Sequence, residues 1–164
     1  WRRHVWDSDQ LIPMTPRETK TIVDIGSGAG FPGLVLAIAL GGPTVHLIES
    51  TQKKCRFLET VVAATGAPAK VHWTRAEDIS GLKADVVTAR AVAPLDRLFA
   101  LAYPFFGPAT IGLFLKGRSL NDELTGATKS WRLDATPIPS RSDPSGAVLR
   151  VTGLTPWRKA PKPS

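Results

Sequence analysis

Apolar residues fall along this chain in short runs separated by stretches of helical spacing. Runs at Thr21–Ile25, 44–48, Ala69–Trp73, 84–88 and 110–115 have the length of buried strands. Residues 33–40 are apolar on every side, which predicts a helix buried all round. On the next helix Cys55, Leu58, Val62 and Thr65 share an inner face, with Lys53, Lys54, Arg56 and Glu59 mostly outside. Another helix is expected over 95–106. Gly41-Gly42-Pro43 and Gly66 end helices, and Ser50 or Thr51 can cap one. Strands alternating with helices imply βαβ units and a parallel sheet.

That rhythm breaks near the C-terminus. Residues 130–138 and 147–154 read as two strands joined by a turn-rich stretch, so with no helix between them they should pair antiparallel. Residues 1–16 predict a short helix and a proline-bounded loop. The expectation is one domain over 1–155, followed by a basic tail, 156–164, too polar to bury itself and therefore disordered.

Composition adds bounds. With 164 residues, 43% of them hydrophobic, the chain can build one core. A net charge of +7 and a pI near 10.0 suit a polyanionic partner. The single Cys55 excludes an intrachain disulfide and a zinc–thiolate cluster, and fits a reducing compartment. No apolar run reaches the roughly 18 residues of a membrane span. A cytoplasmic monomer without a membrane partner is expected. The chain opens on Trp1 rather than Met, so a preceding segment is expected as well.

Candidate chemistry gathers at Val23-Asp24-Ile25-Gly26-Ser27-Gly28-Ala29-Gly30-Phe31-Pro32-Gly33, where a strand enters a glycine turn and then a helix. This arrangement builds nucleotide-like cofactor sites in open α/β sheets. Gly28, Gly30 and Gly33 satisfy the dinucleotide fingerprint, and Glu49 follows Gly28 by 21 residues, close to the ribose-binding acid of NAD enzymes. Two features argue the other way. Apolar residues stop at Ile25, so the turn begins ahead of that fingerprint, and Asp24 sets a carboxylate where a pyrophosphate would lie. An adenosyl cofactor with a sulfonium and an ammonium tolerates that acid. Either cofactor offers a ribose to Glu49, each charge-assisted bond being worth roughly 1.5–3 kcal/mol. The residues favour the adenosyl group. An NAD-type oxidoreductase stays as the alternative, and a packing turn beside a solvated strand end is the plain structural reading.

The stretch Asp24 to Gly33 closely resembles the cofactor motif of the RsmG (glucose-inhibited division protein B) family. Similarity continues through Glu49, Lys53-Lys54-Cys55-Arg56-Phe57-Leu58, Arg75-Ala76-Glu77, Thr88-Ala89-Arg90-Ala91 and Leu115-Lys116-Gly117. Arg3-His4-Val5-Trp6-Asp7-Ser8 is similar to that family's R-H-x-x-D-S stretch. The resemblance implies an α/β, Rossmann-like class I S-adenosylmethionine-dependent methyltransferase fold: a mostly parallel sheet with a C-terminal antiparallel hairpin. It implies methyl transfer from S-adenosylmethionine to N7 of a guanine in 16S ribosomal RNA, free or in the small ribosomal subunit, without a metal. Cofactor contacts are implied at Gly26, Phe31, Ala76, Glu77 and Arg90, with Glu49 on the ribose; Asp24, Ser27, Gly28 and Gly30 complete the loop. Family members carry further helices before R-H-x-x-D-S, and this chain does not include them.

Guanine N7 presents a lone pair, so no general base is required and positioning suffices. Arg90, Lys116, His4 and Asp7 are the positioning candidates. For RNA the candidates are Arg2, Arg3, Lys116, Arg118 and Arg141, with Arg158, Lys159 and Lys162 in the tail, though a basic run is as readily a solvated face. Trp6 or Phe31 could stack on a base. Cys55, on an apolar helix face, reads as a structural thiol. A non-catalytic RNA-binding protein with a degenerate pocket is the second alternative.

Overall fold

The computed structural model describes residues 2–157. Seven strands form one sheet in the order β3-β2-β1-β4-β5-β7-β6. They are β1 (Thr21–Ile25), β2 (Thr44–Glu49), β3 (Ala69–Trp73), β4 (Val86–Arg90), β5 (Ile111–Lys116), β6 (Trp131–Pro139) and β7 (Ala147–Pro156). The helices are α1 (Arg2–Asp9), α2 (Gly33–Leu40), α3 (Gln52–Thr65), α4 (Leu95–Ala102) and α5 (Leu120–Ala127). β1 to β5 pair in parallel, whereas β7 runs antiparallel to β6, as the missing crossover helix predicts, and antiparallel to β5 as well, a pairing the sequence reading did not include.

Strand alternation feeds two cores. Ile22, Val45, Leu47 and Val86 pack with Leu34 and Leu36 of α2 on one face. On the other, Val23, Ile25, Val87 and Ala89 pack with Leu98 and Phe99 of α4. Helices covering both faces explain why the parallel strands are nearly continuous apolar runs. The chain leaves β3 at one edge and re-enters at β4 beside β1, so a crevice opens between the carboxyl ends of β1 and β4.

Several boundaries differ from the expectation for local reasons. The strand expected at 84–88 begins at Val86, because the Asp85 carboxylate accepts the Lys20 and Thr21 amides at 2.8 and 2.9 Å instead of continuing the run. It ends at Arg90. The helix expected over 95–106 stops at Ala102 and tightens into a 3-10 turn at Tyr103–Phe105, where Pro104 offers no amide donor. α2 is not buried all round: Ile38 is 50% exposed, and Ala39 is exposed beside it. On α3, Cys55 and Leu58 are buried but Thr65 is exposed.

α5 is absent from the sequence expectation. Its apolar positions, Leu120, Leu124 and Ala127, are few, and its stability comes from packing beside α4. Pro156 closes β7, and Trp157 donates its amide to Ser130 O and its indole N–H to Thr128 O, at 2.9 and 3.0 Å. The rest of the expected tail, 158–164, with Arg158, Lys159 and Lys162, lies outside the described residues. Among the described residues no helix is long and apolar enough to cross a membrane.

Candidate active site

The glycine turn after β1 is held from below and from the side. The Ser27 amide donates to Ile48 O on β2 at 3.0 Å, and the Gly30 amide to Ser27 O at 2.7 Å. The Phe31–Pro32 peptide is cis. The glycines have different reasons to be there. A Cβ on Gly30 would come within 2.8 Å of Leu34 Cβ, and one on Gly33 within 2.5 Å of Asp24 Oδ2, so these two let α2 sit against the strand. A Cβ on Gly26 would press on Val92 at 2.7 Å. Gly28 shares the positive φ of Gly26 and Gly30 (+57° against +66° and +94°) but differs in its surroundings, since a Cβ there would meet only Gly26 O, at 3.8 Å. That open space at a positive-φ position is what close approach of a ligand needs.

Glu49, at the end of β2, faces this opening. Its Oε2 accepts the Gly28 amide at 2.9 Å and its Oε1 accepts the Thr51 amide at 2.8 Å. Burial opposes its charge, yet those amides hold the carboxyl below the usual carboxylate range. The charge is therefore fixed in place, and each oxygen retains a lone pair for a further donor. Glu49 lines a cleft of ≈ 260 Å³ together with Gly26, Ile48, Ala76, Glu77 and Arg97. Ala76 and Glu77 belong to the 3-10 turn after β3, which carries them to the same lip. Cys55 is 2% exposed, donates to Glu49 O at 3.2 Å, and has its thiol pKa pushed up by burial and by Glu49.

Asp24 lies beneath the turn rather than in the cleft. It is fully buried, and Thr88 Oγ1 on β4 donates to its Oδ1 at 2.7 Å. Its Oδ2 has no partner. Desolvation pushes its pKa up to about 6, with the Thr88 bond pulling the other way. Ser27 is buried too, its hydroxyl donating to Asp24 O at 3.1 Å. Both shape the turn.

At the mouth of the β1–β4 crevice stand Phe31, Arg90, His4 and Asp7. Arg90 ends β4, and its guanidinium carbon lies 5.6 Å from the Phe31 ring centre. Its Nη1 is 2.6 Å from His4 Nδ1 and 3.7 Å from Asp7 Oδ2. Asp7 also accepts from Ser142 in the β6–β7 loop. Ala91, next along, has φ +53°, a left-handed conformation costing a non-glycine residue roughly 1–2 kcal/mol. Such strain is found where the chain must aim a side chain.

A second cavity, ≈ 350 Å³, adjoins this cluster and is lined by Asp7, Arg90, Lys116, Ser140, Asp143 and their neighbours. Lys116 is already engaged, with Nζ 2.6 Å from Glu123 Oε2 and 3.1 Å from Ala93 O. Arg3 pairs with Asp143 at the rim. Arg2, Arg118 and Arg141 are exposed. Sequence reading did not single out Arg97, Val92 or Gln10. Arg97 and Val92 flank the first cleft, and Gln10 ties α1 to the β6–β7 loop through Ser140 and the Arg141 amide. Only the tertiary fold brings them there. Among the described residues no group of three His, Cys, Asp or Glu side chains could hold a metal.

A 3-2-1-4-5-7-6 sheet, a ligand crevice at its switch point and a carboxylate fixed at the end of β2 define a class I S-adenosylmethionine-dependent methyltransferase fold. Solved structures agree on the fold. The mitomycin 7-O-methyltransferase MmcR superposes with a TM-score of 0.71 at 13% identity, covering 92% of this chain and 52% of that one. The M. jannaschii TYW2 complex with AdoMet gives 0.70 at 14% identity, over 92% and 74% of the two chains. The family model of rRNA small subunit methyltransferase G (GidB) matches residues 1–141. A relative named ribosomal RNA small subunit methyltransferase G, from Parvibaculum lavamentivorans, is 57% identical over 94% of this chain and 70% of its own length. Another of that name, from Rhodospirillum centenum, is 54% identical over 95% and 72%. The chain belongs to the rRNA small subunit methyltransferase G family.

Proposed function

We propose that this protein transfers a methyl group from S-adenosylmethionine to N7 of a guanine in small-subunit ribosomal RNA, as a cytoplasmic monomer. The observation that carries the reading is Glu49, pinned by the Gly28 and Thr51 amides at the lip of an open glycine turn, in a chain of this family. The donor set fits the cofactor. Glu49 keeps acceptor capacity for two ribose hydroxyls, and Ala76 and Glu77 border the adjoining space. Gly28 leaves the turn open for close approach. Asp24, buried directly under the turn, disfavours a pyrophosphate and so an NAD-type enzyme.

S-adenosylmethionine supplies an electrophilic methyl: the N7–CH3 bond forms as the S–CH3 bond breaks, and the positive charge passes from sulfur to the purine. The chain has no proton to remove at N7, so its work is placement and exclusion of water. Arg90 is held against Phe31 and Asp7, and this arrangement keeps its charge compensated at the crevice mouth. Arg2, Arg3, Arg118 and Arg141 border the neighbouring surface, where cations serve to dock a phosphate backbone. The base must be unstacked or already exposed to enter the crevice.

The test is chemical mapping of N7-methylguanine in ribosomal RNA from cells lacking the protein, with titration of S-adenosylmethionine and NAD. Loss of one N7-methylguanine and preference for S-adenosylmethionine are expected. A preference for NAD, or cofactor binding with an unchanged methylation map, defeats the proposal.

A further inference from the structure

The contact between Arg90 and His4 fixes a proton. Arg90 Nη1 lies 2.6 Å from His4 Nδ1. A guanidinium only donates, so Nδ1 is the acceptor, and the imidazole is neutral with its proton on Nε2. The electrostatics agree: the Arg90 charge, then burial, hold the His4 pKa below its ordinary value. Three contacts keep the pair in place. The His4 ring centre is 5.5 Å from that of Phe31, Arg90 lies over Phe31 at 5.6 Å, and Asp7 Oδ2 stands 3.7 Å from Arg90. His4 itself is exposed, and among the described residues its Nε2 makes no hydrogen bond. The outcome is a neutral N–H donor of fixed tautomer beside the β1–β4 crevice, where ligands of open α/β sheets bind.

We propose that His4 Nε2–H reads O6 of the base being methylated and thereby selects guanine over adenine. This rests on the guanine-N7 reading above and assigns the base-recognising side chain within it. On guanine the O6 acceptor neighbours N7, whereas on adenine an amino donor takes its place. A donor beside N7 gains a bond with guanine and opposes a second donor with adenine. Neutrality matters as much as position. Methyl transfer leaves positive charge on the purine, which a full cation at O6 would oppose and a neutral imidazole does not. Arg90 thus acts in two ways, keeping its own charge on Phe31 and Asp7 while forcing His4 to stay neutral.

The test compares two RNAs. Mapping first locates the guanine that the wild-type protein methylates. 16S rRNA is then ligated with either guanine or 2,6-diaminopurine at that position; the latter keeps N7 and the 2-amino group but carries an amine in place of O6. Wild type should methylate the guanine RNA about 100-fold faster in single turnover, because 2,6-diaminopurine both loses the hydrogen bond and sets a donor against a donor. His4→Ala, a change at an exposed residue, should lose about tenfold with guanine and shrink the preference by the same factor. His4→Gln, which retains an N–H donor, should recover part of both. Anisotropy titrations of the two RNAs should show the same narrowing without turnover, and cofactor titration checks that Arg90 and the fold are intact. An undiminished preference in His4→Ala overturns the proposal. So does an equal loss on both RNAs, or a fall in cofactor affinity that accounts for the lost rate. Absence of any N7-methylguanine with wild type would instead defeat the parent reading, and this one with it.

Discussion

Glu49 accepts the Gly28 amide at 2.9 Å across the gap between the end of β2 and the turn after β1. The bond makes one device of two positions 21 residues apart, because the acid proposed to hold a ribose also holds the loop proposed to admit the cofactor. Glu49→Ala is expected to weaken S-adenosylmethionine binding by about 1.5–3 kcal/mol, the range for hydrogen bonds to a charged group. Glu49→Gln should be nearly as damaging, since its amide nitrogen must confront a backbone N–H where Glu49 now accepts two. Calorimetric titration measures both, and wild-type affinity in either variant would place the ribose elsewhere.

Gly28→Val should abolish cofactor binding while leaving a folded protein. Its Cβ would strike no protein atom closely, so the damage comes from the positive φ and from filling the ligand's space. Gly33→Ala should instead unfold or strongly destabilise the chain, because its Cβ would lie 2.5 Å from Asp24 Oδ2. Melting curves together with cofactor titration separate the two outcomes.

Asp24 predicts an unusual pH dependence. Unfolded, its carboxyl loses its proton near 3.8; folded, it does so at about 6. Between those values the native state binds the extra proton, so rising pH weakens the fold, and above about 6 the penalty is complete. Asp24→Asn removes that penalty. The variant should exceed the parent in stability by on the order of 2–3 kcal/mol near neutral pH, with the gap closing below about pH 4. Denaturant melts of both proteins across this range give the difference curve, in which effects of other carboxylates cancel. A flat difference would mean that Asp24 is not charged and buried at neutral pH.

Glu123 predicts where Lys116 acts. It accepts from Lys116 Nζ and Ser119 Oγ, both at 2.6 Å, and from the Leu95 amide at 3.0 Å, so it caps α4 from α5. Burial opposes its charge, but the hydrogen bond from Lys116 leads in holding its carboxyl below the usual range. Glu123→Ala should cost about 2 kcal/mol, through a lost cap and a stranded lysine. Lys116→Ala should cost less, about 1 kcal/mol, because Glu123 keeps two donors. If Lys116→Ala weakens RNA binding with no loss of stability, Lys116 belongs to the RNA surface instead.

Much of this was legible in the sequence. Strand and helix periodicity, the glycine turn and the absent crossover near the C-terminus are local or near-local signals. They place five parallel strands, the antiparallel pair, the turn at Gly26–Gly30 and the acid at Glu49 without any coordinates. Side-chain type and spacing also gather the cofactor candidates, because in this fold strand ends lie along one edge of the sheet. What each residue does there was decided by tertiary contacts. Only packing shows that Gly30 and Gly33 accommodate Leu34 and Asp24 while Gly28 stays open, and that Asp24 lies under the turn. α5 was illegible because a short helix is stabilised by its neighbour rather than by its own pattern. The neutral His4 depends on Arg90, 86 positions away and outside any local window, and the engaged Lys116 on the fold of β5 into α5 that brings Glu123, seven positions on, back against it. Local chemistry determined the elements and the candidate residues; burial and long-range charge, which exist only once the chain has closed on itself, determined their roles.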